Sequence, residues 1–375
     1  MQASPSAQAT DLDQVAEQIA RQFLPHAADL RLQRLGQGLI NDTRLVEDRS
    51  ERFVLQRLNS AVFKDADAIV ANLLRVQEWL HGQAEVAVRL PRLFCAANGS
   101  PILRDETGHA WRLMEFIGDS RTLRPLQHPA QAAEVGRVLG DFHRALAGLN
   151  PSLLRLTLPG LHDTPGYKRR LDAVMAAAPH RREDPRVAEA VEQVQARAEL
   201  ISVLQQARAA GTAATQITHG DPKLDNVLFA RDADRALCLI DLDTVQPGLL
   251  HEDIADCVRS CCNRVGSATA GTLSTGFDLV LFDALLSGYA TVAAPLFDAD
   301  SLALVYPAIR LIPVELAIRF LTDDLEGNRY FRVSHARENL DKAMVQLALT
   351  RDIERQRGDI ERIISNRFAP KRPRL

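Results

Sequence analysis

The chain has 375 residues, 46% of them hydrophobic and 25% charged, with a net charge of −3. That is room for two lobes with cores of their own, in an ordinary globular composition. The weak net charge gives no reason to expect nucleic acid or an anionic membrane as a partner.

The start, MQASPSAQAT, is small and polar and lacks the charged-then-apolar order of a targeting segment, so residues 1–10 read as a disordered tail. DLDQVAEQIARQFL carries Leu12, Val15, Ile19 and Phe23 at helical spacing. The pattern then turns to short strands: LRLQRLG, broken by Gly36 and Gly38, then DTRLVED and RFVLQRL. AIVANLLRVQEWL is helical again, and PRLFCA and HAWRLMEFI read as two more strands. Residues 11–118 therefore form a small, largely antiparallel lobe with a helix packed on it.

Helices dominate from 119 to 365. AAEVGRVLGDFHRAL and VAEAVEQVQARAELISVLQQARAA both repeat apolar residues every three or four positions, and HRREDPR between them reads as a solvated loop. THGDPKLDNVLF and LCLIDLD supply two strands, and helices follow. LVLFDALLSGYATVAAPLF is interrupted by Asp283 and Pro295, short of the about 18 uninterrupted apolar residues of a membrane span, and reads as a buried helix. Cys257, Cys261 and Cys262 lie close together without a CxxC pair and read as small apolar residues of a buried helix rather than a metal site. Residues 366–375 form a basic, Pro-containing, solvated end. A β-rich lobe followed by a helical lobe gives an α+β, two-lobed architecture with its chemistry at the junction.

HGDPKLDN fits the protein-kinase catalytic-loop spacing H-x-D-x-x-x-x-N. In that pattern Asp221 faces the incoming hydroxyl as base and Asn226 reaches a magnesium ion on the phosphates. CLIDLDTV then presents Asp241 at the end of an apolar strand, where the pattern places its metal-binding Asp, with Asp243 as a second candidate. Surface turns share this composition, but three oxygen ligands in pattern order outweigh that reading. LGQGLINDT offers a glycine turn, Gly36 and Gly38, that brings backbone N–H groups to phosphate, with Asn41 in the place of a third Gly. The strand that carries a phosphate-holding Lys in protein kinases reads FVLQRL, and Gln56 or Arg57 stands in that place. TLSTG around Ser274 misses the GxSxG of a hydrolase because Thr272 replaces Gly.

With GLINDTRLV, FVLQRLNSAVF, WRLMEFI, THGDPKLDNVLF, CLIDLDTVQPGL and RFLTDDLEGNRYF in order from about residue 34 to 331, the chain resembles the aminoglycoside phosphotransferase/choline kinase superfamily, and within it the N-acetylhexosamine 1-kinases. The resemblance implies a protein-kinase-like fold, ATP and Mg2+ as cofactors, a small-molecule sugar acceptor and a cytoplasmic enzyme. Residue by residue it implies Asp221 as base, Asn226 and Asp241 as magnesium ligands, and the main chain of Glu115, Phe116 and Ile117 against adenine. It also implies Arg319, Asp324 and Tyr330 lining the sugar pocket, with Asp42 reaching the substrate from above. Gly220, Pro222 and the stretch HEDIADCVRSCCN depart from the hexosamine-kinase pattern, although Asp253, Asp256 and Arg259 keep their places. Kinases of homoserine, amino alcohols or aminoglycosides share the same base and metal motifs. A nucleotide-binding scaffold without catalysis is the reading from a different class, and the presence of Asp221, Asn226 and Asp241 together counts against it.

Overall fold

The computed structural model describes residues 5–36, 40–83, 88–264 and 275–369, and of 5–11 the backbone only. Gly38 and Ser274 lie outside that set. In chain order the N-terminal lobe comprises α1 (Pro5–Phe23), β1 (Leu30–Arg34), β2 (Asp42–Asp48), β3 (Glu51–Arg57), α2 (Ala66–His81), β4 (Leu93–Phe94), β5 (Leu103–Arg104) and β6 (Ala110–Glu115). The C-terminal lobe follows with β7 (Ser120–Arg121), α3 (Pro129–Leu146), α4 (Thr164–Ala177), α5 (Pro185–Gln195), α6 (Val203–Ala210), β8 (Gln216–Thr218), β9 (Val227–Ala230), β10 (Ala236–Leu239) and β11 (Gln246–Gly248). It closes with α7 (Leu250–Cys261), α8 (Leu279–Ala293), α9 (Ala299–Ala303), α10 (Val305–Leu325), α11 (Glu338–Arg355) and α12 (Arg357–Phe368). The result is an antiparallel-sheet lobe joined to a helical lobe.

The first sheet runs β1-β2-β3-β6-β4, with β5 also on β6, antiparallel throughout. Its register sets the two faces. Asp42, Arg57 and Trp111 lie side by side in one cross-strand row, and Thr43, Gln56 and Arg112 in the next. Side chains alternate along a strand, so the two rows face opposite ways. The Trp111 face packs with Phe53 and Leu55 on Ile19 and Phe23 of α1. The Arg112 face looks toward the other lobe.

α1 and α12 each reach into a stretch that the sequence reading leaves without secondary structure. α1 begins at Pro5, where a proline fits the first helical turn because its missing N–H has no intrahelical partner anyway. α12 runs to Phe368, whose ring packs 5.4 Å from that of Phe297, and Arg367 donates to Asp283 at 2.7 Å. The stretch read as one helix from Val187 breaks between α5 and α6, where Arg197 turns inward onto Glu354 of α11. α4 has no strong periodicity and starts from Asp163, which accepts from the Gly166 N–H at 3.0 Å.

α8 is apolar and long enough by composition to cross a membrane when extended to Leu296. In the fold it packs along α3 so closely that a Cβ on Gly136 would meet Leu285 O at 1.9 Å, and one on Gly288 would meet Ala133 O at 1.9 Å. Only one face is buried; Val280 on the other side is exposed. Cys257, Cys261 and Cys262 are buried free thiols in the apolar core.

Candidate active site

His219, Gly220 and Asp221 follow β8 on a loop held from several sides. Asp253 of α7 is fully buried and accepts from the His219 N–H at 2.6 Å and the Gly220 N–H at 2.8 Å. His143 of α3 meets the same carboxylate at 2.9 Å and Tyr289 of α8 at 2.8 Å. Burial alone would raise the Asp253 pKa, but these donors bring it below the usual range, so the clamp stays anionic. Gly220 has φ +83, and a Cβ there would meet Thr244 O at 2.7 Å. Glycine is the residue that both the left-handed backbone and the close approach require.

His219 is not a base. Its Nε2 donates to Ile240 O at 3.1 Å, its Nδ1 accepts from the Asp221 N–H at 3.3 Å, and burial lowers its pKa. The ring is a neutral support under the loop. Asp221 is half-buried and carries the available carboxylate. Asn226 donates through Nδ2 to the Asp221 carbonyl at 2.8 Å and to its carboxylate at 3.2 Å, which leaves the amide oxygen for another ligand. Lys223, inside the same loop, pairs with Asp221 Oδ2. Burial opposes its charge, but Asp221 and Asp241 outweigh burial and hold the ammonium strongly protonated. Lys223 is a site residue that the sequence reading passed over although it stands inside the quoted motif.

Asp241 follows β10 with φ +64, an uncommon backbone for a residue with a side chain. It opens onto the cleft but has protein around it. Burial and then the Asp243 carboxylate push its pKa up to about 6. Asp243 is taken up differently: it is buried, Arg112 Nη2 pairs with Oδ1, and Asn41 Nδ2 donates to Oδ2 at 2.7 Å. Of the two carboxylates, Asp241 is the one with oxygens available. Hard oxygen donors from Asp241 and Asn226 fit Mg2+, which takes its remaining ligands from water and phosphate. Among the described residues no group of three His, Cys, Asp or Glu closes a metal site by itself.

Gln56 is on the cleft-facing row. Its Nε2 donates to Thr43 Oγ1 at 3.0 Å, and its Oε1 accepts from Arg112. Arg57, one residue on, lies on the α1 face with Asp42. Asp42 accepts from Arg44 Nε at 2.8 Å on that same face. Gly36 turns with φ +70 after β1. At the end of β6, Glu115 pairs with Arg89 at 2.7 Å, Phe116 lies under Arg52, and Ile117 is buried. No partner for the Ile117 N–H is found among the described residues.

Across the loop, α10 presents Glu315 and Arg319 one turn apart. Arg319 lies between the rings of Tyr167, Tyr330 and Phe331, with centroids 5.2, 5.9 and 5.6 Å away. It has no carboxylate within ion-pair reach among the described residues. Burial opposes its charge, while Tyr167, Glu315, Tyr330 and Asp221 favour it, so the guanidinium lies within the field of the Asp221 loop. Asp324 is turned elsewhere and pairs with Arg337 at 2.9 Å. Its neighbour Asp323 accepts the N–H groups of Arg329 and Tyr330 at 2.8 Å and of Phe331 at 2.9 Å, and so holds the loop that brings the two rings over Arg319.

His162 meets Glu315 at 3.0 Å, and Thr164 donates to the same carboxylate at 2.5 Å. Burial would lower the His162 pKa, but Glu315 overrides it and lifts the value to about 9. The shift from 6.5 is worth roughly 3 kcal/mol. This stabilisation is complete below about pH 6.5, the ordinary histidine value, and is lost as pH rises through about 9. The melting temperature should fall over that window, and Glu315→Gln should flatten the fall. Parallel curves for the two proteins would contradict the pairing.

The sequence matches the phosphotransferase enzyme family over residues 31–294. The chain belongs to that family. As a phosphotransferase it has solved relatives in fold. A microcompartment-associated aminopropanol kinase superposes with TM-score 0.62 at 19% identity, covering 92% of this chain and 99% of that one. An aminoglycoside phosphotransferase from Alicyclobacillus acidocaldarius gives 0.59 at 15% identity, over 90% of this chain and 95% of that one. A spectinomycin phosphotransferase, solved with ADP and spectinomycin, gives 0.56 at 12% identity, over 91% and 98%.

Proposed function

We propose that this phosphotransferase uses ATP and Mg2+ to phosphorylate a sugar hydroxyl, the C1 hydroxyl of an N-acetylhexosamine or related hexose. The observation that carries the kinase reading is the convergence of Asp221, Lys223, Asn226 and Asp241 on one cleft. Asp221 orients the acceptor hydroxyl and takes its proton as the new O–P bond forms and the bond to the departing ADP breaks. Lys223 offsets the negative charge on the transferring group. Asn226 and Asp241 hold the cation. When bound, Mg2+ neutralises the phosphate oxygens.

The acceptor reading rests on Arg319 and on the resemblance of IDLDTVQPG and RFLTDDLEG to the hexosamine kinases. Several fold relatives act on amine-bearing acceptors by name. A guanidinium with no carboxylate in ion-pair reach among the described residues, in the field of Asp221, repels an ammonium group and suits neutral hydroxyls and an amide carbonyl. Ring faces around it match the apolar face of a sugar.

Two measurements bear on this. ADP release should be faster with an N-acetylhexosamine than with the matching free hexosamine; preference for amino alcohols or aminoglycosides would overturn the sugar reading and leave the kinase. Arg319→Met should raise the acceptor KM by about 10- to 100-fold, the worth of a hydrogen bond from a charged donor, and change the Mg-ATP KM little. Equal shifts in both would place Arg319 outside the acceptor pocket.

A further inference from the structure

Where the kinase pattern has its β3 lysine, the cleft-facing residue is Gln56; Arg57 is on the other face, and Arg52, on the Gln56 face, lies over the Phe116 ring. A cation stands beside Gln56 instead. Arg112 of β6 is the cross-strand partner of Gln56 and is 1% exposed. Its Nε and Nη2 donate to Gln56 Oε1 at 3.1 and 2.6 Å, and Nη2 also reaches Asp243, two residues after Asp241. The other Asp243 oxygen accepts from Asn41, whose own Oδ1 accepts the Asn59 N–H at 3.0 Å. One guanidinium thus ties β3 and β6 to the Asp241 segment, and through Asp243 to the residue that follows the glycine turn.

We propose that Arg112 is a positioning residue for Mg-ATP: it does not hold phosphate, as the β3 lysine of the kinase pattern does, but sets the N-terminal lobe and the Asp241 segment in the register that Mg-ATP binding needs. The inference rests on the kinase reading above. Nη2 serves Gln56 and Asp243 together, and Nε adds a second bond to Gln56 Oε1 that fixes the guanidinium plane. The contact is between lobes rather than within the sheet, so its loss changes where Asp241 lies relative to the phosphates. Arg112 touches neither substrate nor acceptor in this scheme.

The test is Mg-ATP titration of the full chain without acceptor, on the wild type, on Arg112→Met and on Arg112→Met/Asp243→Leu. The double variant leaves no unpaired buried charge. Arg112→Met should weaken Mg-ATP binding by about 10-fold or more, as loss of a charged hydrogen-bonded contact does, with acceptor KM shifted far less. The double variant should regain melting temperature yet remain weak for Mg-ATP. Wild-type affinity in either variant shows the pair to be purely structural and overturns the inference alone. Absence of Mg-ATP binding in the wild type overturns the kinase reading and the inference with it.

Discussion

Asp221→Asn should lower turnover by about 10²- to 10⁴-fold, the usual worth of a general base. The substitution keeps the shape and an oxygen for Asn226 to donate to, but removes the carboxylate that accepts a proton. No neighbour can replace it. His219 has both ring nitrogens engaged and is held neutral by burial, and Lys223 has no free base to offer while its charge is so strongly favoured. Mg-ATP affinity should change little, because the acceptor side of the loop is altered and Asp241 is not. Nucleotide titration beside single-turnover ADP formation separates the two effects. Near-normal turnover in Asp221→Asn would remove Asp221 from the chemistry.

Asp241→Ala should weaken magnesium-dependent nucleotide binding and lower turnover by about 10²-fold or more, since under the proposed assignment it removes a carboxylate ligand and with it much of the charge stabilisation of the transition state. Asp243→Ala should behave differently. Both Asp243 oxygens are occupied by Arg112 and Asn41, so its removal leaves a guanidinium buried and unpaired. That costs roughly 3–5 kcal/mol, and the first sign should be a lowered melting temperature. A magnesium titration read by nucleotide fluorescence distinguishes the two positions. An unchanged magnesium dependence in Asp241→Ala would contradict the assignment of the metal ligand.

The strands and helices of the N-terminal lobe were legible because alternation and helical spacing are local patterns, and LRLQR, DTRLVED and RFVLQR show them plainly. Which face a strand residue occupies was not legible. A slip of one position exchanges Gln56 for Arg57, and only the pairing with β2 and β6 settles that Gln56 looks into the cleft. The same alternation turns Asp42 toward α1 and Arg44. Arg112 gave no signal as a site residue, because it lies far along the chain from the strand it completes. In RFLTDDLEGNRYF the two adjacent acids look alike in sequence. The turn after α10 gives Asp323 three backbone donors and leaves Asp324 to Arg337. His143 and His162 also carry no motif of their own; the first gains its place by burial against Asp253 and the second by pairing with Glu315. The helical residues 5–10 and 366–368 were not legible for a related reason. Composition marks a solvated segment, but a fitting proline at one end and a packed Phe368 at the other extend the helices.

The most direct measurement is the phosphorus NMR spectrum of the product formed from Mg-ATP and an N-acetylhexosamine, with the 1-deoxy sugar as control. The account predicts an anomeric phosphate, ADP in equal amount, and no product from the 1-deoxy sugar although it competes for binding. A 6-phosphate, or phosphorylation confined to amino alcohols or aminoglycosides, would contradict the sugar 1-kinase reading.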